Sequence, residues 1–185
     1  MIITSLTISG NEVPDLCPLP VGSMAPYFSG IDQYGQTHSL ETFKEKGPFV
    51  LFFHYGYWCR YCIEELKIFN KELQYLKSFG INVLVITQEG EEFRNKVSDK
   101  PKQNIPALID FNQNIMRTYR VAQSKEHFKN NTAPTNQIKS LKEKSVPIQA
   151  TFIITKTGII DFVHYDPDQK SRVSTSKILN QLKVS

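Results

Sequence analysis

The chain has 185 residues, of which 40% are hydrophobic and 22% charged, with a formal net charge of +4. That length suits one domain with one substantial core, and the balance is that of a folded globular chain rather than a disordered one. Lysines are interleaved with acids, as in "EEFRNKVSDKPK", which describes a solvated surface and argues against a nucleic-acid binder, while no apolar run reaches the ~20 residues that span a bilayer.

Residues 1–20 read as a lead-in, with a short strand in "IITSLTI" and a turn-rich stretch after it. The start lacks the basic region, sustained apolar stretch and small-residue cleavage site of a secretion signal. The expected location is therefore the cytoplasm, where cysteine pairs are catalytic or metal-binding more often than structural. Residues 21–185 form the remaining domain. In it, "APYFSGIDQYGQTHSL" predicts two short strands around a turn at Gly35, with Ser39 as N-cap of a short helix. The consecutive apolar run Phe49 to Phe53 predicts a strand buried on both faces.

A helix follows. Cys62, Leu66, Phe69, Leu73 and Leu76 recur at helical spacing, Glu64, Glu65, Lys67 and Lys71 are assigned to the opposite, solvated face, and Gly80 supplies the stop. "NVLVIT" and "IPALID" read as further strands, separated by a polar helical stretch from about 89 to 100, and "NQNIMRTYRV" as a short helix. Residues 122–146 are polar and lysine-rich, and are expected to form a surface insertion of loop and helix. "ATFIIT", "KTG" and "IIDFVHY" predict a hairpin, and residues 171–182 a closing helix. The order implies an α/β sandwich, a mixed sheet flanked by helices.

Two of the three cysteines, Cys59 and Cys62, stand where the central strand hands over to the longest helix. Open α/β sheets place their sites at such carboxyl ends. A thiol at the helix start faces unpaired N–H groups and the positive end of the helix dipole, both of which favour thiolate, and Arg60 is expected to add positive charge. Cys62, one turn along and facing inward, is less acidic. The pair thus divides into an attacking and a resolving thiol. Acidity alone achieves little: lowering a thiol pKa from ~8.5 to ~7 raises the ionised share about fifteenfold, but the weaker nucleophile takes back about fivefold. Other groups must stabilise the transition state. A zinc site would need four ligands and no second pair exists, and simple packing of two small hydrophobes does not explain their place at the junction. No metal and no other cofactor is expected.

"VGSMAPYFSGIDQYGQTHSL" followed by "PFVLFFHYGYWCRYCIEELKIF", then "NVLVITQE", "IPALIDFNQNIMRTYRV" and "ATFIITKTGIIDFVHY", resembles the alkyl hydroperoxide reductase/thiol-specific antioxidant branch of the thioredoxin superfamily, in particular its peroxiredoxin-like group. The resemblance implies a thioredoxin-like three-layer sandwich, attack by Cys59, and recycling by a thioredoxin- or glutaredoxin-type dithiol. Homodimers lie within the superfamily's range. Several positions depart from the pattern. Gly56 and Phe52 replace the threonine and proline of peroxiredoxins proper, and Tyr55 and Arg60 replace an arginine and a proline common in the group. Gln149 stands where thioredoxin-like proteins carry a cis-proline, and trans geometry is expected there because a cis bond before a non-proline residue costs ~3–4 kcal/mol. Phe53 occupies the place of thioredoxin's buried acid.

Three functions fit. In a peroxidase, Cys59 becomes a sulfenic acid that Cys62 condenses to a disulfide, with Arg60, backbone amides and Gln149 as donors and Trp58 beside the thiol. In a protein disulfide reductase the C-x-x-C exchanges with substrate disulfides. In a redox-sensing binding module the pair gates a partner without turnover. His54 is expected as a hydrogen-bonded strand-end residue with a secondary option in proton transfer, and Cys17 as an idle turn cysteine or a spare resolving thiol.

Overall fold

The structure is a computed structural model and describes residues 17–54, 59–88, 105–124, 145–165, 171 and 173–184. The predicted strand at "IITSLTI" and the helical stretch at 89–100 lie outside these residues. β1 (Ser29–Ile31) and β2 (Thr37–Ser39) pair antiparallel as an outlying hairpin. Asp32 closes its turn, its Oδ1 accepting the N–H groups of Tyr34 and Gln36 and its Oδ2 lying 2.8 Å from His38 Nε2. Ser39 then caps α1 (Leu40–Lys46) in a reciprocal box with Thr42.

Five strands make the central sheet: β3 (Phe49–Phe53), β4 (Asn82–Thr87), β5 (Ala107–Ile109), β8 (Ala150–Ile154) and β9 (Ile160–Tyr165), in the order β5-β4-β3-β8-β9. β3 runs parallel to β4 and antiparallel to β8. All five residues of β3 are buried, because the pleat sends them alternately to two cores. Val50 and Phe52 join Val83, Val85 and Ile153 beneath α2 (Arg60–Ser78) and α4 (Thr175–Val184). Phe49, Leu51 and Phe53 join Leu84, Ile86 and Phe152 against α1 and α3 (Asn114–Thr118). The three layers follow from that alternation. Among the described residues, no helix is long and apolar enough to cross a membrane.

The predicted insertion at 122–146 needs correction at both ends. Ala122–Ser124 and Ser145–Pro147 are strands β6 and β7, paired antiparallel in a separate ribbon. Their polar composition hid the pairing; the residues between them lie outside those described.

α2 stops as the glycine requires. Gly80 has φ +73, its N–H bonds to the Lys77 carbonyl, and the Ile81 N–H bonds to that of Leu76, a Schellman closure in which Ile81 and Leu76 also share the core. Gly47, after α1, has φ +122, and a Cβ there would meet the Gly80 carbonyl oxygen at 2.7 Å. The two helix ends therefore touch backbone to backbone. Gly47→Ala should lower the unfolding free energy by about 2 kcal/mol or more, through strain at positive φ and a collision that no side chain can relieve; urea denaturation reads this out, and an unchanged midpoint would contradict the contact.

Candidate active site

β3 ends at Phe53, which pairs with Ala150 at the start of β8. That register sets His54 and Gln149 at one end of the sheet, the carboxyl end of β3. Cys59 is the N-cap of α2: its backbone is extended (φ −76, ψ 96) and its Sγ accepts the Cys62 N–H at 3.1 Å. A sulfur thus does what serine or aspartate commonly does at a helix start. Cys59 is 5% exposed and Cys62 fully buried, and neither is in a disulfide. Cys59 is thus nearly as covered as Cys62.

The Cys59 thiol is held below its ordinary pKa. The largest cause is a side-chain hydrogen bond from Cys62; burial raises it, the N–H groups of Cys62 and Tyr61 lower it, and the charge of Glu65 raises it. Donors win over burial. Cys62 has a second acceptor within reach, Gln149 Oε1 at 3.4 Å. One S–H proton therefore serves two neighbours, the Cys59 sulfur and the Gln149 carbonyl.

Gln149, 1% exposed, completes a buried row by donating its Nε2 to Glu65 Oε2. Glu65 is itself 1% exposed, which corrects its assignment to the solvated face. The signal was present in the spacing: three after Cys62 and four before Phe69, Glu65 lies on the buried stripe of α2 rather than opposite it. Reading charge before position concealed it. Glu64 does face outward, with Arg60 Nε on its Oε1 at 2.9 Å. The Arg60 side chain is 87% exposed and is engaged by Glu64, one turn along the helix. The structure brings Cys59, Cys62 and Gln149 together and pairs Arg60 with Glu64; Trp58 lies outside the described residues. Among the described residues no peptide bond is cis, and no cluster of three or more His, Cys, Asp or Glu is arranged to hold a metal.

His54 is fully buried, its ring edge-on to Phe52. Burial lowers its pKa from 6.5 to about 3, so it is neutral near pH 7 and too weak a base for proton transfer there. Cys17 is exposed, in the lead-in to the fold.

A buried thiol at a helix start, a second thiol one turn on and a central mixed sheet define a thioredoxin-fold, thiol-dependent oxidoreductase. The profile of the AhpC/TSA family matches residues 21–163, and the chain belongs to that family. It is 28% identical over 153 residues to thiol-disulfide oxidoreductase ResA of Geobacillus kaustophilus (strain HTA426), covering 82% of this chain and 73% of that protein. The ResA of Geobacillus thermodenitrificans (strain NG80-2) is 29% identical over 154 residues, with the same coverage of both chains. Among solved structures, peroxidoxin BcpB from Mycobacterium tuberculosis superposes with a TM-score of 0.68 at 19% identity, covering 89% of this chain and 96% of its own. A mutant of peroxiredoxin 6 of Arenicola marina gives 0.71 at 15% identity, covering 89% and 72%. At such identities these two speak to the fold.

The His54 shift carries a sign. Its folded pKa is depressed, so below about 6.5 the unfolded chain binds a proton that the folded chain refuses, and stability falls as pH drops. His54→Leu should remove about 1.4 kcal/mol per pH unit from that slope between about pH 6 and pH 4. Denaturation midpoints across that range test it; parallel slopes would show that His54 is protonated in the fold.

Proposed function

We propose that the protein is a thiol–disulfide oxidoreductase whose Cys59 attacks and whose Cys62 resolves. The observation that carries this reading is the direct approach of the two thiols, joined by the Cys62 N–H on Cys59 Sγ at 3.1 Å and by the side-chain hydrogen bond. The resolving group stands beside the attacking one in the first turn of α2, so no segment has to unfold before the second step. Similarity to proteins named thiol-disulfide oxidoreductase supports the same reading.

The reaction runs in two exchanges. The Cys59 thiolate attacks one sulfur of a substrate disulfide, breaking its S–S bond, forming a mixed disulfide and releasing the first substrate thiolate. The Cys62 thiol then attacks the Cys59 sulfur, its proton leaving with the second substrate thiol. Two electrons pass to the substrate, and a Cys59–Cys62 disulfide remains for a thioredoxin- or glutaredoxin-type dithiol to reduce. Helix N–H groups stabilise the Cys59 sulfur as an anion, both as nucleophile and as leaving group.

One observation favours a second reading, peroxide reduction. Cys59 is only 5% exposed, an aperture better suited to a small oxidant than to a folded protein. There the thiolate attacks the O–O bond, takes up one oxygen as a sulfenic acid and releases an alcohol or water. The Cys62 thiol displaces water from it to give the same disulfide.

Initial rates on one sample, with insulin plus dithiothreitol and with hydrogen peroxide, separate the readings. The first predicts brisk insulin reduction, reduced about a thousandfold or more by Cys59→Ser. It also predicts a stable mixed disulfide in Cys62→Ser, visible by mass. Peroxide consumption outpacing insulin reduction would favour the second reading instead; rates no better than free cysteine with either oxidant would reject both.

A further inference from the structure

The buried row Cys62–Gln149–Glu65 has a polarity. Glu65 as a carboxylate only accepts hydrogen bonds, so the Gln149 amide must turn its NH2 to Glu65 and its carbonyl oxygen to Cys62. The amide thereby converts a charge on one side into a hydrogen-bond acceptor on the other. Cys62 can satisfy that acceptor only as a thiol, since a thiolate would oppose its lone pairs to the carbonyl oxygen. The same S–H proton is the one that hydrogen-bonds to Cys59.

We propose that Gln149 is a positioning residue: its amide, oriented by Glu65, draws the Cys62 proton away from Cys59 and fixes Cys62 as the protonated, resolving partner. The proposal deepens the reading of the site as a dithiol that attacks through Cys59. It also gives a use to a side chain that the fold places beside the resolving thiol by register alone, Gln149 preceding Ala150, which pairs with Phe53.

The direction of its effect is fixed whichever acceptor holds the proton. With Cys59 ionised, Oε1 competes for the donor that stabilises the anion. With Cys59 protonated, Oε1 gives that donor another partner. Both disfavour the Cys59 thiolate. Among the described residues, the titratable groups nearest the pair in the chain are Glu64, Glu65 and Arg60 on α2 and His54 at the end of β3. Arg60 is paired with Glu64, His54 is neutral, and the charge of Glu65 acts on Cys59, raising its pKa.

The test is the pH profile of iodoacetamide reaction at Cys59 in the reduced full-length chain, with Gln149→Met, which keeps length but removes the amide. The acid dissociation constant of Cys59 should rise about fivefold, the factor equivalent to the ~1 kcal/mol net worth of one hydrogen bond. In a Glu65→Gln background, where no charge orients the amide, the same substitution should change it less than twofold. Loss of packing alone would not make the effect of one residue depend on the charge of the other. Gln149→Leu serves if the methionine variant does not fold. An unchanged constant, a fall, or an equal shift in both backgrounds would overturn the proposal. The titration needs only the reduced dithiol, so failure of Cys59 and Cys62 to form a disulfide on oxidation would count against the proposed reaction and leave the titration to judge Gln149.

Discussion

The hydrogen bond from the Cys62 N–H to Cys59 Sγ joins the fold to the chemistry. A helix start needs acceptors for its first amides, and here a sulfur supplies one. The dependence is mutual: whatever stabilises the sulfur as an anion also anchors the helix start, and the helix in turn makes the sulfur more acidic. The position of that start is not free. Leu66, Phe69, Leu73 and Leu76 hold α2 on the sheet, and the Gly80 turn fixes its far end. A sulfur set by so many contacts has little freedom to drift from its second thiol.

Burial works against ionisation at this site, and the balance is struck by donors rather than by solvent. Cys59 is covered, yet hydrogen bonds from Cys62 and Tyr61 outweigh the cost of covering it. Behind it the polar groups continue inward through Gln149 to Glu65 instead of ending at an apolar wall. A buried carboxylate is costly unless its neighbours donate to it, and the amide does so. Its carbonyl then needs a donor of its own, which only a protonated cysteine provides. The chemical state of one group is passed to the next by the limited hydrogen-bond capacity of each.

Much of the architecture was legible in the sequence because it follows from periodicity. The unbroken run Phe49–Phe53 announced a doubly covered strand, and the Cys62 to Leu76 stripe announced the helix over it. Ser39 as a cap and Gly80 as a stop are local chemistry, readable without any fold. What escaped depends on register between distant segments. Gln149 was expected near the site only through the family resemblance; its contact with Cys62 across 87 residues arises because β8 lies antiparallel to β3, and no local pattern encodes that. Glu65 escaped for another reason: a charged residue on an apolar stripe was assigned by its charge. Arg60 shows the limit of adjacency in sequence: the side chain next to Cys59 pairs with Glu64, one turn along the helix. The β6–β7 ribbon was lost in a polar composition that says nothing about pairing.

The central claim is that Cys59, capped by the helix it begins, is the acidic thiol of the pair. Ultraviolet thiolate absorbance of the reduced protein, titrated with pH against Cys59→Ser as reference, tests it most directly. The account predicts a Cys59-dependent inflection below the ordinary free-thiol value of ~8.5. An inflection at or above that value, or one that survives removal of Cys59 and follows Cys62 instead, would contradict it.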